Sequence, residues 1–288
     1  MIRTERGGYW ELIKVSVPYF IVSMIYGTLI LIIEEQYGDH IYKISSQLGS
    51  VFGFAVAFFL GFRMNSAYDR WWEARKVIGE LNNNTKSMVS RMYIYFQEET
   101  YLKADIEYSS GKIIFQSLTE MMKTYIERLT TDLVHPSTAN VQQTSSTTPD
   151  LLLTISFTIE KVMNSQASLE KIDLLQHINR FYDIQGKAER IKNTPFLKIY
   201  SAFTRIIVVT YVILIPFFLG DIDLGGEHSH WEYLAVPIMA AISTLFLTIN
   251  HLANRYGEPF TAKMTSIPVV AIKNKIIAYI TNVQLLNN

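Results

Sequence analysis

GSVFGFAVAFFLGFRMNSAYDRWWEAR, residues 49–75, decides how the chain is read. In its apolar half Gly49, Gly53, Ala57 and Gly61 recur every fourth residue, and so do Phe54, Phe58 and Phe62. Residues four apart share a face of a helix, and series offset by one residue form stripes about 100° apart. One stripe is bare and the other aromatic. A bare stripe lets a second helix approach closely, as small-xxx-small patterns do in membranes. The aromatic stripe then faces something beside that contact, which in a ring of identical helices is the central axis.

Four uncharged apolar runs surround this reading: Val17–Ile33, Ile44–Phe62, Ile206–Gly220 and Tyr233–Ala253. A bilayer crossing takes about 20 predominantly apolar residues. Three of the runs meet that length; the third is short, carries Pro216, and must recruit Ala202 and Phe203 or be partly shielded by protein. The spacing predicts membrane helices over about 17–35, 44–63, 203–220 and 233–253. Buried helices of a soluble core would account for one such run but not for the accompanying charge pattern. Asp221, Asp223, Glu227 and Glu232 occupy a connection without Lys or Arg. Arg3, Arg6 and Lys14 precede the first run, and Arg70, Arg75 and Lys76 follow the second. Lys192, Lys198 and Arg205 precede the third, and Arg255 and Lys263 follow the fourth. Positive residues favour the cytoplasmic side. Both termini and the segments 64–202 and 254–288 are therefore expected in the cytoplasm, with Trp231 and Tyr233 in an outer interfacial belt. Arg63 at mid-bilayer would cost about 2.5–3.5 kcal/mol, so the membrane boundary belongs beside it.

The middle segment reads as helices. Ile114, Leu118, Met121, Tyr125 and Leu129 mark one face, and Leu169, Ile172, Leu175, Ile178 and Tyr182 mark another. Between them His135–Pro149 is rich in Ser and Thr and reads as a mobile loop, with Pro149-Asp150 opening a helix. Ile267–Ile280 suits a packed amphipathic segment or a membrane-surface helix.

Chemistry signals are sparse. The 288 residues carry no net charge, which argues against a nucleic-acid partner. They include no cysteine, excluding disulfides, thiolate metal sites and Cys nucleophiles. No Gly-rich phosphate loop or Ser/His/Asp arrangement emerges, so no enzyme and no cofactor is expected. His228 and His230 read as a solvated loop rather than a metal site. No Asp, Glu, Lys or Arg interrupts the apolar runs, which counts against a proton-linked carrier. His251 is the one histidine inside a run.

FLGFRMNSAYDRWWEARKVIGEL, with NTPF before the third run and NRYGEPF after the fourth, resembles the bestrophin family in its bacterial branch. The resemblance spans nearly the whole chain. It implies an all-α membrane protein, a single channel domain over 1–288, in which four transmembrane helices continue into a helical cytoplasmic domain. It also implies a homopentamer around one axial pore in the bacterial inner membrane. The implied activity is conduction of small monovalent ions, chloride or other anions by family and cations as the alternative in the bacterial branch. The family's neck maps onto Phe54, Phe58 and Phe62, with Gly49, Gly53, Ala57 and Gly61 as the close-packing side. A second, cytoplasmic aperture maps onto the Leu169–Ile178 stretch, with Ile172 as its candidate. Asp69, Arg70, Trp71 and Trp72 are expected to anchor the second helix structurally. The calcium clasp of animal members is not expected, since Pro259 and Ala262 stand where acids would be needed. A carrier or exchanger, and a non-transporting membrane scaffold, are the competing readings.

Overall fold

In the computed structural model the described residues are 5–37, 44–98, 101–103, 108–134, 148–194, 196–219, 232–261 and 267–286. They form eight α-helices: α1 (Glu5–Tyr37), α2 (Ser46–Tyr95), α3 (Tyr108–Val134), α4 (Thr148–Val162), α5 (Ser168–Asn193), α6 (Lys198–Leu219), α7 (Glu232–Tyr256) and α8 (Val269–Leu286). Among the described residues extended pairing is confined to an isolated bridge, Leu102 with Met163. The all-α reading holds. The connections holding His40, His135, His228, His230 and the acidic residues Asp221, Asp223 and Glu227 lie outside the described residues, as does Trp231.

Four helices are long and apolar enough to cross a bilayer: Gly8–Tyr37, the apolar part of Ser46–Tyr95, Lys198–Phe218 and Leu234–Tyr256. α6 starts at Lys198 and takes in Ala202 and Phe203 ahead of the third apolar run.

The chain divides into two compact units, and α2 contributes to both. The first comprises 1–70 and 196–257, the second 71–195 and 258–288. In the first unit α1 and α6 each pack on α7. Gly27 of α1 lies against Met239 and Val236 of α7, where a Cβ would collide with the Met239 side chain. Small residues of this kind let membrane helices approach closely. Its cluster of buried apolar residues is small, Val56, Leu60 and Val208, flanked by Phe52, Tyr211 and Phe246, with Met239, Ala240 and Ile215 buried outside it. Many large apolar side chains of α1, α2, α6 and α7 remain exposed. Leaving apolar area in water costs about 25 cal/mol per Å², so these faces call for lipid or protein cover. Pro18, Pro216 and Pro237 lie inside α1, α6 and α7, and α2 contains no proline. Proline removes a main-chain hydrogen bond. Beside Pro216, the Tyr26 hydroxyl of α1 donates to the Ile213 carbonyl at 2.9 Å.

The second unit has a large core. Leu81, Met88 and Met92 of α2 meet Phe115, Leu118, Met122 and Ile126 of α3, together with residues of α4, α5 and α8. α8 is packed, not stranded on a membrane surface: Ile276, Ile280 and Val283 are buried. On α3 the core face centres on Phe115, Leu118, Met122, Tyr125 and Leu129, with Ile114 and Met121 at its margin. The expected face of α5 needs a larger correction. Its buried residues are Leu174, His177, Ile178, Phe181, Ile184, Gln185, Ala188 and Ile191, whereas Leu169, Ile172 and Tyr182 are exposed. The sequence pattern was ambiguous because two polar residues, His177 and Gln185, belong to the inward face. Against α2, α5 runs antiparallel along a polar ladder. Glu73 pairs with Arg190 at 2.7 Å, Glu80 with Lys187 at 3.1 Å, and Arg91 with Asp173 at 3.3 Å.

Candidate functional site

The stretch 49–75 lies wholly within α2, so its helical periodicity is real. Phe54, Phe58 and Phe62 are 75%, 54% and 52% exposed on the chain, forming an uncharged aromatic ladder. The Phe54 and Phe58 rings lie 6.5 Å apart and nearly parallel, while Phe58 meets Phe62 edge to face at 4.4 Å. Both are favourable aromatic geometries. Phe59 supports the ladder from its flank, contacting Phe58 edge-on and Phe203 of α6 at 6.1 Å. Sequence periodicity does not single out Phe59, which belongs to neither stripe.

The bare stripe divides into two halves. Gly49 and Gly53 are buried against α6 of the same chain, where an added Cβ would come within 2.5 Å of the Phe218 ring and collide with the Tyr211 hydroxyl, respectively. Ala57 and Gly61 instead line an open, mostly apolar cavity of about 510 Å³ with Leu60, Leu245, Phe246 and Ile249. A Cβ at Gly61 meets nothing within 4 Å.

One residue past Phe62, Arg63 is only 1% exposed. Its guanidinium donates to the side-chain oxygens of Asn250 and Asn254 of α7. Among the described residues it forms no ion pair, and its Nε has no hydrogen-bond partner. Two turns further on, Arg70 donates from Nε to the Gly257 carbonyl at 2.9 Å. Arg63 and Arg70 share a face of α2, and Asn250 and Asn254 lie one turn apart on α7 with Gly257 one residue past its end. Carbonyls concentrated at a helix C-terminus favour cations, which helps explain how a buried guanidinium is tolerated without a carboxylate. The asparagine pair was invisible beforehand, since nothing local links residues so far apart in sequence.

Asp69 and Trp72 are exposed, whereas Trp71 packs against the core of the second unit. The two indoles lie 6.3 Å apart with a small interplanar angle. Ile172 is on the free face of α5. His251 meets the Tyr19 hydroxyl at 3.1 Å through Nδ1. In the second unit His177 is buried, its Nδ1 2.7 Å from the Asn84 side-chain oxygen, while the Asn84 amide donates to the His177 carbonyl at 2.9 Å. That pairing places the imidazole proton on Nδ1. Desolvation pushes the His177 pKa below its ordinary value, Asp173 opposing and Arg180 and Arg91 reinforcing the shift. Among the described residues no three His, Cys, Asp or Glu side chains come together as a metal site.

The chain is similar in sequence to channel-forming proteins. The voltage-dependent anion channel-forming protein YneE of Escherichia coli K12 is 27% identical over 238 residues, covering 79% of this chain and 73% of that protein. A voltage-dependent anion channel-forming protein of Ralstonia nicotianae is 29% identical over 221 residues, covering 73% of this chain and 68% of that protein. In structure, a bacterial bestrophin homologue from Klebsiella pneumoniae superposes with a TM-score of 0.75 at 20% identity, over 93% of this chain and 98% of that one. The family model described as bacterial/fungal bestrophin protein matches residues 11–282, so this chain belongs to the bacterial and fungal bestrophin family.

Proposed function

We propose that the chain forms a homopentameric ion channel in which α2 of each copy turns Phe54, Phe58 and Phe62 toward a common axis. The observation that carries the reading is the continuous, exposed, uncharged ladder of three phenylalanines on a membrane-length helix. Large apolar side chains on one side of a crossing need a partner or a role, and stacked apolar rings make a constriction that gates by dewetting. Family membership and the channel-forming names of its relatives support the same reading. Those names favour small monovalent anions as the permeant class. The positive edges of the phenyl rings are the feature of the neck suited to them.

The bacterial inner membrane is the proposed location, with both termini and the second unit in the cytoplasm. Ile172, exposed on α5, is the proposed cytoplasmic aperture. Asp69, Arg70, Trp71 and Trp72 are the proposed anchor of α2. Ala57 and Gly61 are the part of the bare stripe left open for a neighbouring copy.

Reconstitution into planar bilayers tests the reading. Replacing Phe54, Phe58 and Phe62 together by Ala should raise leak conductance, and unchanged conductance would sink the neck assignment. Reversal potentials in asymmetric salt should report anion preference; a cation preference would retain the pore and reject the permeant class. Saturable flux without unitary steps would favour a carrier instead.

A further inference from the structure

We infer that Arg63 is a positioning residue for the constriction: it latches α2, one residue beyond the last phenylalanine, to the C-terminal turns of α7. The inference rests on the pore reading above. Three observations converge on it. The guanidinium is buried and forks onto two neutral side chains one helical turn apart, Asn250 and Asn254. Among the described residues no carboxylate pairs with it, so the asparagine oxygens and the end of α7 carry its electrostatic compensation. Arg70 repeats the connection two turns along, on the main-chain carbonyl of Gly257.

Buried charge makes this latch resist small rotations. A guanidinium withdrawn from water must keep its acceptors or find new ones. A small rotation of α2 that broke one of the two bonds would leave a donor and an acceptor unmet. Intermediate rotations are therefore disfavoured, and the azimuth of the phenylalanine stripe is locked to the α7 end. A planar fork with fixed donor directions suits that task, whereas a lysine ammonium is a compact point charge whose three donors rotate freely. The position of α7 relative to α2 then sets the direction in which the rings point.

The absence of cysteine supplies a clean test. Phe62→Cys introduces one thiol into the full-length channel, and its modification rate by a water-soluble thiosulfonate reports how residue 62 is presented. Adding Asn250→Ala with Asn254→Ala, or Arg63→Lys, should change that rate several-fold. In the otherwise native channel the same replacements should shift open probability by roughly tenfold, the scale of one lost hydrogen bond to a charged group. Unitary conductance and reversal potential should stay as they were, since the rings remain. Asn254→Ala alone is the milder variant should the double replacement not assemble.

Unchanged labelling and unchanged open probability in a monodisperse channel would overturn the latch. If the triple phenylalanine replacement leaves conductance untouched while the labelling rate still shifts, the pore reading fails and the positioning of residue 62 stands. If the triple replacement raises the leak but the latch variants change nothing, the pore stands and the latch fails.

Discussion

At the scale of single residues, the four members of the bare stripe have different surroundings although they share one pattern. Gly49 and Gly53 accept the Phe218 and Tyr211 rings, and a methyl group at Gly49 would collide with ring carbon that has no room to retreat cheaply. Overpacking of this kind costs about 1–3 kcal/mol. Gly49→Ala should therefore lower the melting temperature of the purified protein by several degrees, and by more than Gly61→Ala, whose added methyl meets nothing within its own chain. Differential scanning fluorimetry in detergent decides between them. Periodicity established which residues share a stripe. It was silent on what covers each one, because helical spacing carries no information about the neighbouring helix.

A second residue-scale consequence concerns His177. Its folded-state pKa is depressed, so above about 6.5 the imidazole is neutral in both folded and unfolded chains and contributes no pH dependence. As pH falls through that value the unfolded chain gains a proton that the folded chain resists. This contribution to stability declines until pH passes below the folded pKa and then levels off. Thermal stability should drop between pH 7.5 and 5.5, and His177→Gln should flatten that part of the profile even if it lowers the baseline. An identical slope in the variant would show that another group dominates.

At the scale of elements, α2 was the most legible part of the chain. The uninterrupted change from apolar to charged residues after Phe62 implied a helix leaving the membrane without a break, and α2 does run from Ser46 to Tyr95. The expense of Arg63 was also readable; its solution was not, because Asn250 and Asn254 are ordinary polar residues until α7 is brought alongside. α5 shows the reverse failure. Its apolar residues offered a convincing face through Leu169 and Ile172, yet the inward face recruits His177 and Gln185, each satisfied by a long-range partner or near it. Asn84 bonds the histidine, and Tyr125 approaches Gln185 at 3.4 Å. Buried polar groups that find partners defeat any reading based on hydrophobicity alone.

At the scale of the whole molecule, the two units differ in how much of their own cover they supply. The second has a deep core of its own, while the first buries few apolar residues completely. The uncovered apolar faces of the first unit need lipid or protein cover, and they were readable as four long apolar runs. The number of copies was not, since no property of one chain counts its neighbours. Native mass spectrometry from mild detergent should give five copies of the 33.1 kDa chain. A stable monomer or dimer that still conducts would refute the five-fold arrangement.

The distribution of proline gives α2 a mechanical character of its own. Three candidate crossings contain a joint where proline removes a main-chain hydrogen bond, and the fourth is an unjointed shaft. A torque on a shaft is delivered along its length. On the pore reading, Phe54, Phe58 and Phe62 would then turn together as one toothed edge, and the constriction would switch as a unit instead of yielding ring by ring.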